Sequence, residues 1–183
     1  MAELERDMAR LQRVKDPIAE IEQMRRRRLA QPPADAPHAR LVLLARVGGV
    51  GIETAEMLVH EVFVRNLRDR RAVARYAGLT DAPDESGTRR REKGLARAGN
   101  ARVPHGTNPW AEGPRGMLQR AWRFLMFQKD SALAQWFQRR TADRRPGTRK
   151  TMIVALARKL LIALWRLVIT GEVSPGVVRR AAA

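Results

Sequence analysis

An all-α fold is what this sequence predicts, and three observations carry it. Apolar residues recur at spacings of three, four and seven over several stretches, the repeat of one helix face. No stretch of any length alternates apolar with polar residues as a half-buried strand does. Glycine, proline and aspartate gather between the periodic stretches, where they start or stop helices.

The first element spans residues 1–30. Leu4, Leu11, Val14, Ile18, Ile21 and Met24 keep the helical spacing, which predicts an amphipathic helix or coiled-coil arm. Asp16-Pro17 has the form of an N-cap followed by a first helical position, so a second helix is expected to restart there. The run Arg25 to Arg28 suits a solvated helix end, where cations meet the negative pole of the dipole. Residues 31–37 hold three prolines and read as a linker.

A helical domain is expected over residues 38–175, with 176–183 as a tail. His38 to Val47 reads as a short helix, followed by Gly48-Gly49-Val50-Gly51 and a second helix through Met57, Leu58, Val62 and Phe63. Another covers Arg70 to Tyr76 and stops at Gly78. Composition makes Thr80 to Asn100 a loop, and Val103 to Gly116, with Pro104, Pro109 and Pro114, is irregular. Two longer helices follow. Met117 to Arg140 places Leu118, Trp122, Leu125, Leu133 and Trp136 on its buried face; Arg149 to Thr170 buries Ile153, Leu156, Leu160, Leu164 and Leu167. The three tryptophans 122, 136 and 165 could stack on bases, but their helical spacing favours packing.

With 183 residues, 44% apolar and 30% charged, the chain can bury one core and is not a disordered tail. It has no cysteine, which excludes disulfide scaffolds and thiolate metal sites, and its histidines at 38, 60 and 105 form no metal-ligand spacing. Met1 to Arg13 is charged throughout, unlike a signal peptide. Thr151 to Thr170 is apolar but interrupted by Arg158, Lys159 and Arg166, so no membrane association is expected and a cytoplasmic location is the default. The net charge of +17 predicts a polyanionic partner, nucleic acid first. Residues 1–84 carry 15 basic and 13 acidic side chains, net +2; residues 85–183 carry 21 and 6, net +15. The basicity therefore belongs to the second half.

Two local motifs carry possible chemistry. The Gly49-Val50-Gly51 turn between helices has the form of a helix-hairpin-helix element, whose backbone amides hold a DNA phosphate without reading sequence; Val50 would enter the core, and Thr54 and Ala55 would allow close helix packing. A plain helix–helix turn is the alternative, and a nucleotide-binding glycine loop would need a βαβ context that is absent. The second motif is Asp84-Glu85-Ser86-Gly87-Thr88-Arg89-Arg90-Arg91-Glu92-Lys93-Gly94. A hydroxyl beside a permissive glycine, followed by four cations, holds the parts for attack on a phosphodiester, although serine-glycine in a basic loop is commonly only a loop. Arg97, Asn100 and Arg102 extend the same basic region.

Taken in order, Gly49-Val50-Gly51-Ile52-Glu53-Thr54-Ala55, Tyr76-Ala77-Gly78-Leu79, Glu85-Ser86-Gly87, Lys93-Gly94-Leu95-Ala96-Arg97-Ala98-Gly99-Asn100 and Ala155-Leu156-Ala157-Arg158-Lys159-Leu160-Leu161 resemble the C-terminal domain of the IS-one-ten family of insertion-sequence transposases. The resemblance covers roughly Leu41 to Pro175, and the leading helix looks like that family's coiled-coil connector. It implies DNA transposition through a catalytic serine, Ser86 here, acting by a phosphoserine link. It implies DNA contacts from Gly49, Gly51, Thr54, Arg89, Arg90, Arg91, Lys93, Arg97, Asn100 and Arg102, a partnership with element-encoded guide RNA, and self-association through the N-terminal helix. No cofactor is expected on this chain: in the family, magnesium belongs to a RuvC-like domain preceding the connector. Because the chain starts inside the connector, the resemblance implies a truncated or degenerate copy that is not active alone. Pro104 to Pro114 departs from the family pattern and reads as an insertion or an out-of-frame stretch. The alternative is a non-catalytic helix-hairpin-helix nucleic-acid-binding protein.

Overall fold

The computed structural model describes residues 2–79, 81–86, 89–95, 114–143 and 145–181. Its packed part is helical throughout, as the repeat predicts. In chain order the elements are α1 (Ala2–Ala30), α2 (Ala36–Ala45), α3 (Ile52–Met57), α4 (Arg70–Tyr76), β1 (Asp81–Ser86), β2 (Arg89–Leu95), α5 (Pro114–Phe127), α6 (Ala132–Arg140) and α7 (Pro146–Thr170). Helix α3 runs on into a π-helical stretch, Leu58–Phe63. Its wider turns let Leu58, Val59, Val62 and Phe63 all reach the core.

Helix α7 is the centre of the globule and packs against α2, α4, α5 and α6. Ile153, Leu156, Leu160, Leu164 and Leu167 are buried, as their spacing predicts, and join Leu44, Val47, Leu58, Val62, Val73 and Phe124 in one cluster. Pro146 stands in its first turn, and Gly171, at φ 73°, takes the left-handed position that ends it, its N–H donating to Leu167 O. The starts of α2, α4 and α6 have side-chain caps: Asp35 accepts from His38 N at 2.7 Å, Asp69 from Arg71 N and Ala72 N at 2.8 Å, and Ser131 from Ala134 N at 3.2 Å.

Three expectations need correction. First, α1 is continuous through Pro17 rather than restarting there. Proline's φ suits a helix, and on an exposed helix water can satisfy the carbonyl its missing N–H leaves unpaired. Second, the stretch 117–140 is two helices, divided at Gln128–Ser131. The buried positions are Ala121, Phe124, Gln128, Ser131, Ala134 and Phe137; Trp122 is 37% exposed, and Leu118, Leu125, Leu133 and Trp136 are half-buried. At the division, Ser131 caps α6 and Gln128 is turned inward to tie distant backbone together. Its Nε2 donates to Gly48 O at 2.9 Å and Val178 O at 2.8 Å, and its Oε1 accepts from Val178 N at 2.8 Å.

Third, residues 81–95, expected as loop, form an antiparallel hairpin with an irregularity between Asp81 and Ala82. Its strands lack the apolar alternation that would have revealed them. Their register sets Asp84 opposite Arg91 and Glu85 opposite Arg90, an arrangement of opposite charges that favours antiparallel pairing.

Candidate nucleic-acid interface

The Gly49–Val50–Gly51 turn lies between α2 and α3 and packs against α5. Gly49 has φ 86°, and a Cβ placed there would stand 3.0 Å from the Phe124 Cα. The glycine is therefore required both by backbone conformation and by close approach of α5. Val50 and Ala55 are buried, as the motif predicts. The Thr54 hydroxyl faces α5, accepting from Arg120 Nε at 3.2 Å, while Arg120 Nη2 stands 3.4 Å from Met57 Sδ. A residue at Gly51 would approach Arg123 Nη1. Two arginines of α5 thus border the turn.

The hairpin carries the second motif. Ser86 is the last residue of β1 and stands opposite Arg89, the first of β2; Arg90, Arg91 and Lys93 follow along β2. Sequence order alone does not show that Ser86 and Arg89 close one end of a ladder. Arg97, Asn100 and Arg102 lie outside the described residues, as does the irregular stretch 104–113.

A third basic region escapes sequence reading. Arg158, Lys159 and Arg166, which enter the sequence only as breaks in an apolar run, line a groove of about 670 Å³ together with Arg70 and Arg71 of α4. The signal was present in part: Lys159 and Arg166 are seven residues apart, hence on one face of α7. The contribution of α4 could not be read, because it depends on tertiary packing.

Among the described residues no cluster of three or more histidine, aspartate or glutamate side chains stands where it could hold a metal ion, and no helix is long and apolar enough to cross a membrane. Asp69 is the group with a perturbed carboxyl. The hydrogen bond from Ala72 N is the largest cause and, with that from Arg71 N and the nearby Arg68 and Arg75 charges, holds it below its usual value against the opposing effect of desolvation.

Comparison with known proteins fits these features. The model of the transposase IS116/IS110/IS902 family matches residues 42–104, a segment that includes the glycine turn, α4 and the hairpin. The chain is 37% identical over 188 aligned residues to "Putative transposase y4rJ" of Sinorhizobium fredii (strain NBRC 101917 / NGR234). That alignment takes in 98% of this chain and 44% of the relative, so the chain spans less than half the relative's length. No solved structure matches. The resemblance read from the motifs is thus met independently: residues 42–104 of this chain match the model of the transposase IS116/IS110/IS902 family.

Proposed function

We propose that the chain is the DNA-gripping part of an insertion-sequence transposase and that Ser86 is the nucleophile of strand cleavage and rejoining. The observation that carries this is the hairpin: within the family-matched segment, Ser86 ends one strand directly opposite Arg89, the first of four closely spaced cations. The next two cationic positions, Arg90 and Arg91, stand opposite carboxylate residues, so the register singles out Arg89 as the cation beside the serine.

In this reading the Ser86 oxygen attacks the phosphorus of a phosphodiester, forming a serine–phosphate ester as the bond to the departing sugar oxygen breaks. The serine proton passes, through solvent, to that oxygen, which leaves as a free strand hydroxyl. Rejoining is the reverse, with a strand hydroxyl attacking the phosphoserine. Cations of β2 stabilise the negative charge that grows on the phosphoryl oxygens. The glycine turn and its bordering Arg123 add a sequence-independent phosphate contact. The exposed apolar seam of α1 serves self-association with a second copy. Element-encoded RNA guides the assembly, and a metal-binding RuvC-like domain completes it. The family match favours this over a non-catalytic binding protein.

The test is a covalent trap. The chain is incubated with element-end DNA, guide RNA and a RuvC-like domain, and the mixture is run on a denaturing gel. An adduct present with the natural chain and absent in Ser86→Ala supports the reading; no adduct in any combination overturns it.

A further inference from the structure

From the groove between α4 and α7 we infer a binding site for single-stranded nucleic acid, separate from the hairpin. It rests on the reading above only for the class of partner. Arg70 and Arg71 form one wall; Arg158, Lys159 and Arg166 form the other, and Glu172 is the one carboxylate in the lining. Five cations against one anion in a concave space make a strong local attraction for a phosphate chain. None of the five has an ion pair among the described residues. Lys159 is instead held over the Trp136 ring at 4.9 Å, which fixes the direction of its ammonium.

Three features favour a single strand. Apolar side chains, Leu133, Ile162 and Ala163, share the lining with the cations, and this mixture suits the sugars and base faces that a single strand exposes. A duplex keeps its bases stacked inside and offers such apolar side chains no base face. The volume, about 670 Å³, is that of a small-molecule cleft, able to take a short segment of one strand. Along α7, Lys159 and Arg166 are two turns apart, about 10 Å, so they would meet successive parts of one backbone.

The placement of Arg70 and Arg71 is an independent argument. They occupy the first turn of α4, where the positive pole of the helix disfavours cations. Asp69 at the N-cap offsets this only in part. Two arginines in an electrostatically unfavourable position, both on the wall of a cationic groove, are explained by what they bind rather than by what they stabilise.

The experiment uses the full 183-residue chain and fluorescence anisotropy with labelled dT12, rU12 and a 12-base-pair duplex over a range of salt. Arg158→Gln/Arg166→Gln and Arg70→Gln/Arg71→Gln are each expected to weaken single-strand binding about tenfold and to flatten its log–log salt slope by about 1.4, two contacts at roughly 0.7 each. Glu172→Gln is expected to tighten it. The Arg70/Arg71 variant should keep or raise the melting temperature, which separates lost binding from lost folding. Binding to dT12, to rU12 or to both that the groove variants weaken supports the groove and tells which source of strand it prefers; strand binding that the variants leave unchanged overturns it. Equal or tighter duplex binding with the groove variants unaffected overturns it while leaving the proposed function standing. Stronger binding to anionic vesicles than to any strand, or no nucleic-acid binding at all, overturns both.

Discussion

Helices α1 and α7 are the two longest in the chain, 29 and 25 residues, and both carry apolar side chains at helical spacing. Yet Leu4 and Met24 of α1 are 64% and 61% exposed, whereas Leu156 and Leu161 of α7 are fully buried. The difference lies in the width of the apolar surface. On α1 it is a seam of about one residue per turn between charged flanks; α7 is apolar around most of its circumference, from Met152 to Val168. A wide face is covered by neighbours in the same chain. A narrow seam repeating at Leu4, Leu11 and Ile18, with Val14 and Ile21 each three residues after one of these, is geometry for a partner helix.

The largest expected effect tests that contrast directly. Leu161→Ala should lower the unfolding free energy by about 2–5 kcal/mol in urea titration. The matching change in the arm, Leu11→Ala, should move it by less than about 0.5 kcal/mol for the monomer. Instead it should reduce self-association in analytical ultracentrifugation. Similar losses from both would break the comparison.

Within the globule, Gly49→Ala is expected to cost about 1–3 kcal/mol, because alanine is strained at positive φ and its Cβ meets the α5 backbone. Thermal unfolding measures it. At the root of the arm, Arg25 bonds Glu56 at 2.9 Å and Glu53 at 3.3 Å. Arg25→Ala should therefore change global stability by less than about 1 kcal/mol, while hydrogen exchange quickens in the last turns of α1.

The smallest effect is pH-dependent. Asp69 has a lowered carboxyl pKa in the folded state, so its stabilising contribution is present above the unfolded value, near about 3.9, and is lost as pH falls through the folded value. Melting temperatures of the natural chain and Asp69→Asn should converge as pH drops below about 4. A gap that widens in acid would show that the Asp69 charge is not what caps α4.

Legibility followed how local each cause is. The buried face of α7 and the placement of Val50 and Ala55 were readable because periodicity and a short motif determine them. The break between α5 and α6 was not, since Gln128 is turned inward by backbone at residues 48 and 178. The hairpin was hidden because charge register rather than apolar alternation marks its strands. Ser86 could be singled out by motif order, but its position opposite Arg89 could not, and the α4–α7 groove joins arginines almost 90 residues apart in sequence. Cations read singly as breaks in an apolar run thus become a surface only after folding.

The backbone around the glycine turn is completed from far along the chain: Gly48 N donates to Val178 O, Arg180 N to Arg46 O, and Arg46 Nε to Arg180 O across 134 positions. These bonds set an order of assembly. While the chain is being made, α2 and α3 can form early, but the turn joining them is locked only after residue 180 has left the ribosome, since closing so long a loop must await both ends. The glycine turn is therefore a late-maturing element, closed only once residues 178–180 are in place.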